Sequence, residues 1–161
     1  MSNPLYDTLF GRHAGKTTPF LHLENGTSLS HADFLARAAQ LAHAMASLGV
    51  KPGDRVAVQI DKSPDALALD QDRGGSLAER ADRQSAEFET VARNGDDLAA
   101  FLYTSGTTGR SKGAMLTQEN LLSNAQTLAE LWQFTAQDVL LHALPIFHTH
   151  GLFVAVNVTL A

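Results

Sequence analysis

The sequence predicts an α/β fold with a parallel sheet, because helical and extended segments alternate along the chain. A helical pattern ending near Leu48, a strand at Arg55–Ile60 and the start of a further helix at Ala66–Leu69 follow one another. The chain has 161 residues, of which 44% are hydrophobic, and this is the composition of a globular domain.

Turn and capping residues delimit the first elements. Residues 4–10 predict a short helix, and Asn25-Gly26 predicts a hairpin with a type I′ turn, since both residues tolerate positive φ. Ser30 is the predicted N-cap of the helix that ends near Leu48, with Asp33 in the capping-box position.

A charged segment, Asp70–Asp97, interrupts this alternation. It holds 12 charged residues among 28 and few large apolar ones, and no buried strand can be assigned to it. Two interpretations stay open: a solvated surface helix with a loop, or a chain in which core elements of the fold are missing at this point.

Regular elements resume at Leu98. The pattern predicts a strand ending at Tyr103, a second strand at Ala114–Leu116 and a helix from the N-cap Thr117 to about Trp132. The remaining predictions are a buried strand at Val139–Leu144, a loop at Pro145–Gly151 and an apolar run at Leu152–Ala161.

Composition excludes several classes of protein. The formal net charge is −5, which disfavours a nucleic-acid partner, and the lack of cysteine excludes disulfides, thiolate metal sites and cysteine nucleophiles. No apolar run is long enough to span a membrane, and the N-terminal residues lack the features of a secretory signal. We therefore expect a cytoplasmic protein.

The strongest chemical signal is the polar stretch Thr104–Gly113. These ten residues contain three glycines, five hydroxyl side chains, Arg110 and Lys112, and none is apolar. Glycines allow backbone N–H groups to surround an anion, while hydroxyls and a lysine add donors and positive charge. The stretch therefore predicts a polyphosphate-binding loop, against the simpler alternative of a flexible surface loop.

Other candidate sites are weaker. The segment Gly11–Thr17 ends in Gly-Lys-Thr but has one residue too few for a Walker A loop and leads into a hairpin. His148 and His150 could form a metal pair in extended backbone, yet no carboxylate follows Pro145, so we expect no metal site. Ser105 lacks the Gly-x-Ser-x-Gly setting of a hydrolase nucleophile.

Two motifs carry a family resemblance. TSGTTGRSKG at Thr104–Gly113 resembles the phosphate-binding signature of the adenylate-forming acyl-CoA synthetases and ligases, which commonly have proline where this chain has Ser111. LPIFHTHGL at Leu144–Leu152 resembles the next core motif of that family, and the surrounding sequence is most similar to the malonyl-CoA synthetase branch.

The resemblance implies an acid–thiol ligase that activates a carboxylate such as malonate with ATP and Mg²⁺ and transfers the acyl group to CoA. His148 would line the site between adenylate and acyl group. The residues that would hold the β- and γ-phosphates are Thr104, Ser105, Gly106, Thr107, Thr108, Gly109 and Lys112.

The resemblance also implies that the chain is an incomplete piece of the large N-terminal domain of an adenylate-forming enzyme. Residues 1–69 would open the AMP-binding domain, 70–97 would contain a deletion junction, and 98–161 would carry the phosphate loop and acyl pocket. The small C-terminal domain and the Mg²⁺-binding glutamate would be absent. We therefore expect no ligase activity from the chain alone, and the alternative is a non-catalytic nucleotide- or phosphate-binding fragment or subunit.

Overall fold

The computed structural model describes residues 2–57, 76–104, 112–146 and 148–161. The chain forms two compact units, one of residues 13–90 and one of residues 1–12 with 91–161, and each is described by itself. The predicted helix start at Ala66–Leu69 and the end of the predicted strand at Val58–Ile60 lie outside the described residues. Residues 55–57 are described and have no strand conformation.

In the first unit, β1 (Pro19–His22) and β2 (Ser28–Ser30) form the predicted antiparallel hairpin. The prediction of a type I′ turn is wrong, because that turn needs positive φ at both central residues and only Gly26 has it, at +82°. The Gly26 N–H instead donates to the Leu23 carbonyl at 2.9 Å, so the connection is a longer loop than the dipeptide alone predicts.

Helix α2 (His31–Ser47) begins at the predicted capping box. The Asp33 N–H donates to Ser30 Oγ at 3.1 Å, and Asp33 Oδ2 accepts from Ser30 Oγ at 2.6 Å and from the Ser30 N–H at 3.2 Å. Leu48 is the C-cap, and Gly49 follows at φ +89°, a conformation in which a β-carbon would be strained. The buried side of the helix is formed by Phe34, Leu41 and Ala44.

The described part of the charged segment contains one short helix, α3 (Ser76–Ala81), followed by irregular chain. Ala81 is fully buried, and Arg37 on α2 forms an ion pair with Asp82 at 2.8 Å. His43 Nε2 donates to the Glu87 carbonyl at 2.7 Å. Over residues 76–97 the structure therefore agrees with a surface helix and loop, and it leaves the interpretation of missing core elements untested.

The second unit begins with the predicted short helix, α1 (Pro4–Leu9), whose N-cap Asn3 accepts from the Tyr6 N–H at 3.1 Å. The Asn3 amide also donates to the Val91 carbonyl at 3.1 Å, which joins the start of the chain to residues 91–161. Leu9 is completely buried in this unit. A single 3₁₀ turn, Gly11–His13, follows the helix.

Strands β3 (Leu98–Thr104) and β4 (Lys112–Thr117) form the centre of this unit and confirm both strand predictions. Helix α4 (Gln118–Leu131) follows with Thr117 as its N-cap, as predicted. Thr117 Oγ1 accepts from the Asn120 N–H at 3.1 Å, and Asn120 Oδ1 accepts from the Thr117 N–H at 3.1 Å. The buried residues of α4 are Leu121, Leu122 and Ala125.

One sequence prediction about the sheet is wrong for the described residues, and a second is not tested by them. The predicted parallel sheet depended on residues 55–60 and 66–69, most of which lie outside the described residues. Both strand pairs found in the described residues are antiparallel, and a connection as short as the one between β3 and β4 cannot make the crossover that parallel strands require. The segment Val139–Leu144 forms no strand there, and Val139 and Leu141 are 83% and 89% exposed. No described segment pairs with its backbone, so its apolar sequence alone does not make a strand.

The final apolar run is helical. A π-helical turn at His150–Ala155 continues into α5 (Val156–Leu160). Ala155, Val158 and Leu160 are buried, together with the polar residue Asn157. This element therefore contributes to the core of the second unit beside α4.

Protonation of Asp33 should weaken the start of α2. Hydrogen bonds from the Ser30 hydroxyl and then the Ser30 N–H hold the pKa of Asp33 below its usual value of 3.8. A carboxylate with a lowered pKa stabilises the folded state above its unfolded pKa and loses that contribution as the pH falls through the folded value. The free-energy difference of unfolding between the parent and Asp33→Ala should therefore be constant above about pH 5 and shrink below it.

Urea unfolding between neutral and acid pH measures this difference. Asp96→Ala is the control, because Asp96 is exposed and lies outside any helix cap. If the difference in unfolding free energy between the parent and Asp33→Ala stays unchanged below the usual Asp33 pKa of 3.8, the lowered pKa assigned to Asp33 is contradicted.

Candidate functional site

The β3–β4 hairpin holds the two ends of the predicted phosphate loop together. Its register pairs Leu102 with Ala114, Tyr103 with Gly113 and, at the tip, Thr104 with Lys112. Ser105, Gly106, Thr107, Thr108 and Gly109 lie outside the described residues, as do Arg110 and Ser111. Among the predicted phosphate ligands, the structure therefore places the backbone of Thr104 opposite Lys112.

The two strands make a close contact next to this tip. A β-carbon built on Gly113 would lie 3.2 Å from Cε1 of Tyr103, so the aromatic ring of one strand lies over the glycine of the other. The Tyr103 side chain is 74% exposed. Glycine within a strand often marks such an approach, and here it lets an aromatic ring cover the backbone beside Lys112.

The chemistry of the segment suits an anion. Lys112 is exposed at the start of β4, and the sequence between it and Thr104 offers hydroxyls, backbone N–H groups and Arg110, with no carboxylate. Such a set can bind phosphate oxygens, and it contains no carboxylate, the charged side chain that commonly holds Mg²⁺. These groups therefore suit the phosphates of a metal–nucleotide complex and not its metal ion.

His148 lies in a tight turn at Pro145–Gly151. The His148 N–H donates to the Pro145 carbonyl at 3.2 Å, and the Leu152 N–H donates to the His148 carbonyl at 2.9 Å. His148 is exposed, which is compatible with a residue that lines a ligand site. Ile146 beside it is buried and anchors the turn to the unit.

The two weaker sequence candidates show no site geometry. In the described residues, no cluster of three or more His, Asp or Glu side chains could hold a metal ion, and His148 and His150 are both exposed. Lys16 contacts His13, with Nζ 3.0 Å from Nδ1, and the chain continues into β1 as the sequence predicts. A Walker loop would open a helix instead.

No helix in the described ranges has the length and hydropathy needed to cross a membrane.

Comparison with known proteins identifies the family. The family model described as "AMP-binding enzyme" matches residues 10–71 and 68–161. Apo MatB from Rhodopseudomonas palustris superposes with a TM-score of 0.90 at 36% identity, over 99% of this chain and 44% of MatB, and its ATP-bound form gives the same values. The fold is thus that of a larger adenylate-forming enzyme, of which this chain matches a part.

Curated relatives carry related names. A malonate–CoA ligase of Arabidopsis thaliana is 44% identical over 70 residues, which are 44% of this chain and 12% of the relative. A mitochondrial malonate–CoA ligase of Mus musculus is 50% identical over 57 residues, which are 35% of this chain and 10% of the relative. The aligned part is therefore less than half of each of these relatives.

The resemblance stated from the motifs at Thr104–Gly113 and Leu144–Leu152 is thereby confirmed at the level of the family. The two matched ranges together run from residue 10 to residue 161. The chain belongs to the AMP-binding enzyme family of adenylate-forming CoA ligases.

Proposed function

We propose that the chain carries the nucleotide-phosphate site of an acid–thiol ligase of the malonyl-CoA synthetase type. In this reaction a carboxylate attacks the α-phosphate of ATP, an acyl adenylate forms and pyrophosphate leaves, and the thiol of CoA then takes the acyl group and releases AMP. The observation that carries the proposal is the β3–β4 register, which sets Lys112 opposite Thr104 at the base of the loop. The names of the relatives support malonate as the acid.

The residues have separate roles. The charge problem of the first step is that an anionic nucleophile must approach a polyanion, so fixed donors around the leaving phosphates lower the barrier. Lys112 supplies a positive charge and His148 lines the acyl side of the site. The hydroxyl and N–H donors come from Thr104, Ser105, Gly106, Thr107, Thr108 and Gly109. Mg²⁺ would neutralise phosphate charge and is expected to have its protein ligands outside this loop.

The alternative is a non-catalytic phosphate-binding fragment or subunit. The chain matches 44% of MatB, so the activity of the whole enzyme is not carried over to these 161 residues. The two family matches meet at residues 68–71, which supports the proposed junction near Asp70. The cytoplasmic location stays a prediction, because several relatives are named as mitochondrial.

Loss of Lys112 should weaken the binding of Mg·ATP. Lys112→Ala removes a charge-assisted contact worth about 1.5–3 kcal/mol, so the Kd should rise about tenfold to a hundredfold in calorimetric titration. Lys16→Ala is the matched control, since it removes the lysine of the rejected Gly-Lys-Thr segment and should leave the Kd unchanged. Equal losses in the two variants would contradict a specific role for Lys112.

The purified chain should not complete the ligase reaction. Incubated with malonate, Mg·ATP and CoA, it should yield no malonyl-CoA above a protein-free control in mass-spectrometric detection. The reason is that the resemblance places the Mg²⁺-binding glutamate and the small C-terminal domain outside these 161 residues. Turnover that depends on both ATP and malonate would show that the chain holds a complete site.

A further inference from the structure

A histidine outside the predicted ligand set makes a specific contact with the turn that carries His148. His142 is half-buried, and its Nε2 lies 2.7 Å from the Gly151 carbonyl oxygen. A carbonyl oxygen only accepts hydrogen bonds, so Nε2 must carry the proton. The neutral ring is therefore the Nε2–H tautomer, with its lone pair on Nδ1.

Gly151 is also the point at which the turn closes on itself. A β-carbon there would lie 2.1 Å from the Pro145 carbonyl oxygen and 2.7 Å from its carbon, a contact that backbone cannot relieve with a small shift. Gly151 is buried, so its carbonyl depends on a protein donor. The position of this residue is therefore set from one side by Pro145 and from the other by His142.

The same backbone groups hold His148. The Pro145 carbonyl that faces Gly151 accepts the His148 N–H, and the His148 carbonyl accepts the N–H of Leu152, the residue after Gly151. A displacement of Gly151 would consequently move the N–H of Leu152, which is joined to it, and would open its contact with the Pro145 carbonyl, the other hydrogen-bonding partner of the His148 backbone. The chain also enters a π-helical turn here, a local irregularity often found at functional sites.

We propose that His142 is a positioning residue for the acyl side of the site. Its Nε2–H holds the Gly151 carbonyl and thereby fixes the backbone of the Pro145–Gly151 turn that presents His148. The assignment rests on the proposed function, in which His148 lines the acyl pocket.

The tautomer of His142 tests the proposal in the parent chain, without any variant. Long-range ¹H–¹⁵N correlation spectra at alkaline pH, where histidine rings are neutral, distinguish a protonated Nε2 from a protonated Nδ1. The proposal requires the Nε2–H form. An Nδ1–H tautomer would overturn it, because that ring could not donate to Gly151.

Two variants separate the hydrogen bond from the packing of the ring. His142→Phe keeps a ring and removes the donor, and should speed hydrogen exchange of the His148 and Leu152 amides about tenfold relative to the Ala125 amide in α4. His142→Gln restores an Nε2 donor and should remain within about twofold of the parent at both amides. Equal acceleration in the two variants, or acceleration of the Ala125 amide to the same extent, would reduce His142 to a packing role.

The tautomer and hydrogen-exchange measurements are both made without ATP and without a carboxylic acid substrate. If the proposed function were wrong, Lys112→Ala would leave Mg·ATP affinity unchanged while the His142 tautomer and exchange pattern stayed as described. If the positioning role were wrong, the tautomer or the exchange pattern would differ from that described while the Lys112 result stood.

Discussion

The antiparallel ladder between β3 and β4 is the constraint on which the candidate site depends. The intervening loop has no apolar residue that could anchor it by burial, so its ends must be held from outside. The ladder runs from Leu98 opposite Thr117 to Thr104 opposite Lys112 and brings the two ends into register. A slip of one residue would move every side chain of β4 to the other face and turn Lys112 away.

The surrounding elements keep this ladder in place. Thr117 ends β4 and at the same time caps α4, so the strand and the helix share one residue and cannot shift independently. Helix α4 buries Leu121, Leu122 and Ala125, and the final helix adds buried Val158 and Leu160 to the same unit. At the second motif, the close approach of Gly151 to the Pro145 carbonyl holds the ends of the His148 turn together. The strand register holds the ends of the phosphate loop together in the same way.

Sequence predicted the elements whose signals are local and missed those that depend on distant neighbours. The predicted N-caps Ser30 and Thr117 located both long helices, because an N-cap and its hydrogen-bonding partner lie three residues apart in the sequence. The prediction of a strand at Val139–Leu144 was wrong, because a strand needs a pairing partner and the residues of the segment itself do not specify one. The helix at Val156–Leu160 was not predicted because it is buried on most sides and shows no polar–apolar period. The motif resemblance made His148 a candidate site residue, whereas the role we propose for His142 rests on its contact with Gly151, nine residues later, which no sequence pattern indicated.

The most direct measurement of the central claim is amide hydrogen exchange of the full chain with and without Mg·ATP. If the ladder presents a phosphate loop, saturating Mg·ATP should slow exchange at Gly106–Gly109 and leave the Asn25–Thr27 turn unchanged. Lys112→Ala should reduce that protection at the same nucleotide concentration. Exchange in the loop that is unaltered by nucleotide, or slowed equally at both turns, would contradict the account.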